Sequence, residues 1–189
     1  MKELRSIAGD LGATDISTYI ASGNLICTPP AAPNHFDRAL EAAIEQRYGF
    51  FREVISRSRD ELVTALDTHP FDVVDEKFSY VYFLVDTPPE DRLKAFSDKV
   101  FGNDLSQVIG SDLHIRYAEG AGTSKLTAPV IARGLGVQGT GRNLRTVRKL
   151  IELMTPPDRR SFYLLLVMIM GMGLAEMVSV AAILPFLAV

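Results

Sequence analysis

Two stretches hold residues whose types and spacing suit chemistry. In "EGAGTSKLT", Gly120 and Gly122 lead into Ser124 and Lys125. Backbone N–H groups at a predicted helix start, the positive end of the helix dipole and a lysine together suit an anion such as phosphate. The Gly-x4-Gly-Lys spacing of a Walker A loop is absent. In "GRNLRTVRK", Arg142, Arg145, Arg148 and Lys149 recur at helical spacing with Asn143 among them, predicting a basic stripe. If stripe and loop adjoin, Ser124, Lys125, Arg142, Asn143, Arg145 and Lys149 form one pocket for a small anionic ligand. A glycine turn and a solvated basic face are the plainer readings of the same residues.

Other chemistries find less support. His35, His69 and His114 have no metal-ligand spacing with one another or with Cys27. There is no Gly-x-Ser-x-Gly elbow, no His-Glu-x-x-His and no supported Ser-His-Asp order. Asp72, Asp75 and Glu76 read as a solvated acidic loop. The expectation is a binding module with no metal, no cofactor and no catalytic constellation. Cys27, alone in the chain, cannot form an internal disulfide; it predicts a small buried strand residue and a reduced, cytosolic setting. With 20 Lys+Arg against 23 Asp+Glu, the chain has no overall basic field, which argues against nucleic acid as a partner.

The elements that must position these residues follow from periodicity and punctuation. Leu4, Ile7, Ala8 and Leu11 predict a helix closed by Gly12. "DISTYIASGNLICT" predicts two strands turning at Ser22-Gly23-Asn24. A helix over "PNHFDRALEAAIEQRYG" ends at Gly49, and "FFREVISR" follows as a strand. Ser58 and Glu61 form a capping box for the next helix. "FSYVYFLVD" is a strand, "PPEDRLKAFSDKVF" a helix, and "LSQVIG" with "LHIRY" a hairpin. "TSKLTAPVIARGLG" predicts a helix interrupted at Pro129, and a short strand follows near Val137. "GRNLRTVRKLIELM" predicts a last helix with Leu144, Val147, Leu150, Ile151 and Met154 inward.

From Phe78 onward this order is the split β-α-β unit of ferredoxin-like folds. From Lys2 it is the same unit without its opening strand. The predicted fold is therefore α+β, two ferredoxin-like halves, the first incomplete. That opening strand lies mid-sheet, so its loss leaves strand edges bare and points to truncation at the N-terminus.

"ELRSIAGDLGATDISTYIASGNLICT", "HIRYAEGAGTSKLT" and "GVQGTGRNLRTVRKLIEL" together resemble the bacterial family called domain of unknown function 1697, over residues 1–153. Members usually open with a strand and a "RGINVGG"-like segment, absent here. They often have an aromatic residue where this chain has Leu144. The resemblance implies no activity.

The chain closes on "RRSFYLLLVMIMGMGLAEMVSVAAILPFLAV". After a linker at 154–161, residues 162–189 predict one transmembrane helix, about 42 Å long, against a hydrocarbon core of about 30 Å. Arg159 and Arg160 would hold its start on the cytoplasmic side, and Glu176 sits near its middle. The segment resembles the first transmembrane helix of ABC exporters of the polysaccharide and lipid-linked oligosaccharide type. The expected partners are then the inner-membrane bilayer and further transporter helices. Two functional readings stand: a non-enzymatic binding domain for a small anion with a membrane tail, or a truncated or mis-joined chain whose tail begins a transporter.

Overall fold

The computed structural model describes residues 2–20, 23–154 and, as backbone, 163–167. In chain order the elements are α1 (Lys2–Asp10), β1 (Thr14–Tyr19), β2 (Asn24–Thr28), α2 (Pro33–Tyr48) and β3 (Val54–Ser58). Then come α3 (Arg59–Asp67), β4 (Ser79–Leu84), α4 (Glu90–Ser97), β5 (Leu105–Ile109) and β6 (Asp112–Arg116). The described chain ends with α5 (Ala128–Leu135), β7 (Gly139–Asn143), α6 (Leu144–Leu153) and β8 (Tyr163–Val167).

Two antiparallel four-stranded sheets result, ordered β1-β2-β8-β3 and β5-β6-β4-β7. The second is the split β-α-β unit in full: its opening strand β4 lies between β6 and β7. In the first sheet the corresponding place, between β2 and β3, is taken by β8. Leu25 pairs with Leu165 on one side and Ile55 with Leu166 on the other, both antiparallel. The place expected to be open in the first sheet is thus filled by β8. An empty slot would leave the facing N–H and C=O groups of β2 and β3 without partners inside the fold.

This placement corrects the reading of the tail. Tyr163–Val167 form a strand, not the start of a transmembrane helix. Among the described residues no helix is long and apolar enough to cross a membrane. Residues 168–189, with Glu176, and the linker with Arg159 and Arg160 lie outside the described residues.

Strand alternation sorts the core. On β2, Leu25 and Cys27 join Leu4, Ala8, Phe36, Leu40 and Ile44 under α1 and α2. Ile26 points the other way, into a central cluster with Ile55, Leu62, Val81, Phe83, Leu144, Val147 and Leu150. On β4, Val81 and Phe83 enter that cluster, while Tyr82 and Leu84 pack with Phe96, Ile131 and Leu135 of α4 and α5. Both faces of each sheet are thus covered, with α3 and α6 packed together in the middle. That is why "SYVYFL" reads as a continuous buried run.

Local chemistry sets several helix ends where the sequence says it should, while α4 covers only Glu90–Ser97 of its predicted stretch. Gly49 takes a left-handed φ of 74° after α2, and its N–H donates to the Glu45 carbonyl. The Ser58–Glu61 capping box is formed in both directions. The helix predicted from Thr123 begins only at Ala128, because Thr127 is its N-cap; Pro129 falls in its first turn and interrupts nothing. The helix predicted from Gly141 begins at Leu144, because "GTGRN" pairs with β4 as β7.

Candidate functional site

A polar concavity follows the outer edge of β3. An edge strand presents N–H groups that would pair with another chain. Here carboxylates from the two flanking helices take them in turn. The N–H of Val54 donates to Glu41 Oε1 at 2.9 Å, that of Ser56 to Asp37 Oδ2 at 3.3 Å, and that of Ser58 to Glu61 Oε2 at 2.6 Å. Asp37 and Glu41 stand one turn apart on α2, so one helix face meets alternate residues of the strand. The Ser56 hydroxyl also donates to Asp37 Oδ1.

Beside this edge lies a cleft of about 240 Å³ lined by Asn34, Asp37, Arg38, Ser56, Arg57 and Glu61, with Val85 from the second half. Asp37 is buried. Desolvation pushes its carboxyl up to about 6, against the opposing hydrogen bonds from Ser56. Arg38 is ion-paired to Glu41 and otherwise open to solvent. Arg57 reaches out of the first half: Nη2 donates to the Leu84 carbonyl at 2.8 Å and lies 3.6 Å from Asp112. Its guanidinium carbon sits 5.5 Å from the centre of the Phe83 ring. Ser56 and Asp37 resemble a nucleophile and base by distance alone. Asp37 holds both the N–H and the O–H of that one residue, which makes the contact a brace for the strand.

The residues singled out by sequence fall in different places. Ser124 and Lys125 lie in the loop ahead of α5, beside a depression of about 200 Å³ that also holds Asp104 and Glu119. Asp104 takes the donors an anion would use: the Ser124 hydroxyl at 2.6 Å and the Ala118 N–H at 2.8 Å. Lys125 is exposed. Arg142 sits on β7, at the opposite edge of the sheet from β5, roughly three strand spacings or ~14 Å away. The structure therefore does not bring Arg142 to the Ser124–Lys125 loop.

Arg142 is also not on the helix that holds Arg145, Arg148 and Lys149. It is buried; burial lowers its pKa to about 10, so it remains a cation at neutral pH. Its Nε donates to Asn24 Oδ1 at 2.6 Å, and Nη1 to Thr140 Oγ1 at 2.7 Å and the Gly141 carbonyl at 2.8 Å. Asn143 caps α6, accepting the Thr146 N–H at 2.8 Å. Arg145 is exposed, Arg148 pairs with Glu76, and Lys149 with Glu152. Cys27 is buried and free, its thiol pushed up to about 12 by burial and the nearby Asp37.

Sequence reasoning passed over Asp37, Arg38, Ser56 and Arg57. One signal was available for Arg57. "SRSRDEL" and "GRNLRTV" both place an arginine directly before the residue that caps the helix, and the two strands occupy the same slot in their halves. Nothing local marks Asp37 and Ser56, which lie nineteen residues apart.

The chain is similar in fold to the conserved bacterial protein SP0830 from Streptococcus pneumoniae. The two are 18% identical, with a TM-score of 0.60 over 82% of this chain and 88% of the other. No curated protein matches. These comparisons give the tail's resemblance to ABC exporters no support. A family model described as "Protein of unknown function (DUF1697)" matches residues 1–114, well over half of the chain, and the chain belongs to that family.

Proposed function

We propose that the chain is a non-enzymatic binding domain and that its ligand is a small zwitterion of amino-acid size, seated in the cleft along β3. One observation supports this above the rest. Two carboxylates, Asp37 and Glu61, and two guanidinium groups, Arg38 and Arg57, line one cleft of about 240 Å³. Their formal charges cancel, so a ligand of either single sign meets a like charge. A molecule with an ammonium at one end and a carboxylate at the other can meet an opposite charge at each end. The volume suits a small ligand and excludes a folded partner.

The test is an amide NMR titration of the full chain with glycine and with serine at roughly millimolar concentrations. Shifts are expected at Asn34, Ser56, Arg57 and Glu61, weakened at least several-fold by Arg38→Ala, whose side chain is exposed apart from its ion pair. Inorganic phosphate is the second probe. Shifts at Lys125 with phosphate and none along β3 with either amino acid would reject the cleft in favour of a small anion at the 119–125 loop.

A further inference from the structure

The two halves are joined by the segment 68–78, which runs from α3 to β4. Little of it is packed. Val74 is 86% exposed, Val73 42% and Phe78 40%. Its last residue, Phe78, is anchored by the Tyr117 N–H, which donates to its carbonyl at 2.8 Å, and side-chain contacts hold the rest near both ends. Arg148 of α6 pairs with Glu76 near its end. Near its start, His69 Nδ1 lies 3.2 Å from His114 Nδ1 on β6.

The histidine contact has an unusual character. His114 is fully buried. Its ring and that of His69 meet edge to face at 5.3 Å, and the Phe71 ring stands edge to face with His69 at 5.7 Å. A contact between two Nδ1 atoms is a hydrogen bond only if one ring donates and the other offers its lone pair. The accepting ring must therefore be neutral; a proton on the donor makes it a cation whose second N–H needs an acceptor, and protonation of both rings sets donor against donor. The Nε2 atoms of both rings are buried without a hydrogen-bond partner in the protein, so neither proton nor charge finds stabilisation there.

The surroundings do not change this. Val81 is opposite His114 on β4, with Gln107 beyond it on β5 and Arg142 on β7 in the same cross-strand row. Ser79 and Arg116 pair in the next row on that face, and Phe83 and Asp112 in the row on the other side, where Asp112 is ion-paired with Arg57. From the segment come Asp75, Glu76 and Lys77, with Glu76 committed to Arg148 and Asp75 to the Lys77 N–H. The arginines on this face disfavour a second cation.

We propose that the His69–His114 contact is an acid-sensitive latch: neutral, it holds the 68–78 crossover against the second sheet; protonated, it releases that crossover while both sheets stay folded. Burial, joined by the charge of His69, lowers His114 to about 4, and burial lowers His69 also. The latched state thus binds fewer protons than the released one, where the ordinary histidine value of about 6.5 applies. Latching is at full strength above about 6.5 and is lost as pH falls from there toward 4.

Hydrogen exchange of the full chain, corrected for intrinsic rates, tests this between pH 8 and pH 5. Protection of the hydrogen-bonded amides of His69 and Phe78 should fall roughly thirtyfold, the ratio set by one proton shifting between those two values. Protection in β4 and β6 should hold. His114→Leu should abolish that pH dependence, and His69→Gln, at the less buried partner, should do so if the first variant does not fold. An unchanged pH profile in the variant that folds overturns the latch. Loss of protection in β4 and β6 at the same pH as the segment also overturns it, since that is global unfolding.

Discussion

Arg142 shows how far a residue's meaning depends on where its backbone runs. Its spacing from Arg145 and Lys149 suggested a solvent-facing stripe, yet it bridges β7 to Asn24 of the other sheet from a buried position. Arg57 stands at the matching place in the first half and reaches the other way, to the Leu84 carbonyl. The two arginines tie the halves together from both sides. Breaking a buried charge's hydrogen bonds leaves its partners unsatisfied. Arg142→Ala should therefore cost about 3 kcal/mol or more in urea unfolding. Arg142→Lys should lose most of that as well, because one ammonium cannot reproduce the planar fork. A lysine variant as stable as the parent would show that the guanidinium's geometry is irrelevant.

Elements were legible wherever local chemistry sets them. The capping box of α3, the glycine end of α2 and the apolar run of β4 all stand in the sequence. β7 stands there only in part: a short strand is expected near Val137, but "GTGRN" itself has no apolar alternation. Its reason is steric. Tyr82 and the β4 backbone press on β7, so that a Cβ at Gly139 would lie 2.7 Å from the Phe83 carbonyl oxygen and one at Gly141 2.8 Å from the Tyr82 ring. Only glycine admits so close a neighbour. Gly139→Ala should destabilise the chain by about 2 kcal/mol, read as a lower urea midpoint at unchanged slope. The nearest atom is backbone and cannot swing away; an unaltered midpoint would show that the two strands are further apart than described.

On the scale of the whole molecule, the first sheet draws its opening strand from the other end of the chain. β8 pairs along both β2 and β3, so the first half depends on a strand more than a hundred residues away. A proline within β8 removes a ladder N–H. Leu165→Pro should therefore raise hydrogen exchange at Leu25, Ile26 and Ile55 roughly a hundredfold, while β4 and β6 keep their protection. Equal loss in both sheets would mean that the halves unfold as one unit.

The sequence by itself determined the duplicated order of strands and helices and most helix ends. Those rest on periodicity, caps and turns within a few residues of each other. It also placed Cys27 in a buried strand. Only the tertiary structure decided what fills the gap, which way Arg142 faces and that His69 meets His114. Each is a pairing across long stretches of chain, set by which surfaces remain to be covered once the local elements exist. The tail shows the difference most sharply. The apolar run 162–189 suggests a membrane, yet Tyr163–Val167 within it pair as a strand with two open strand edges.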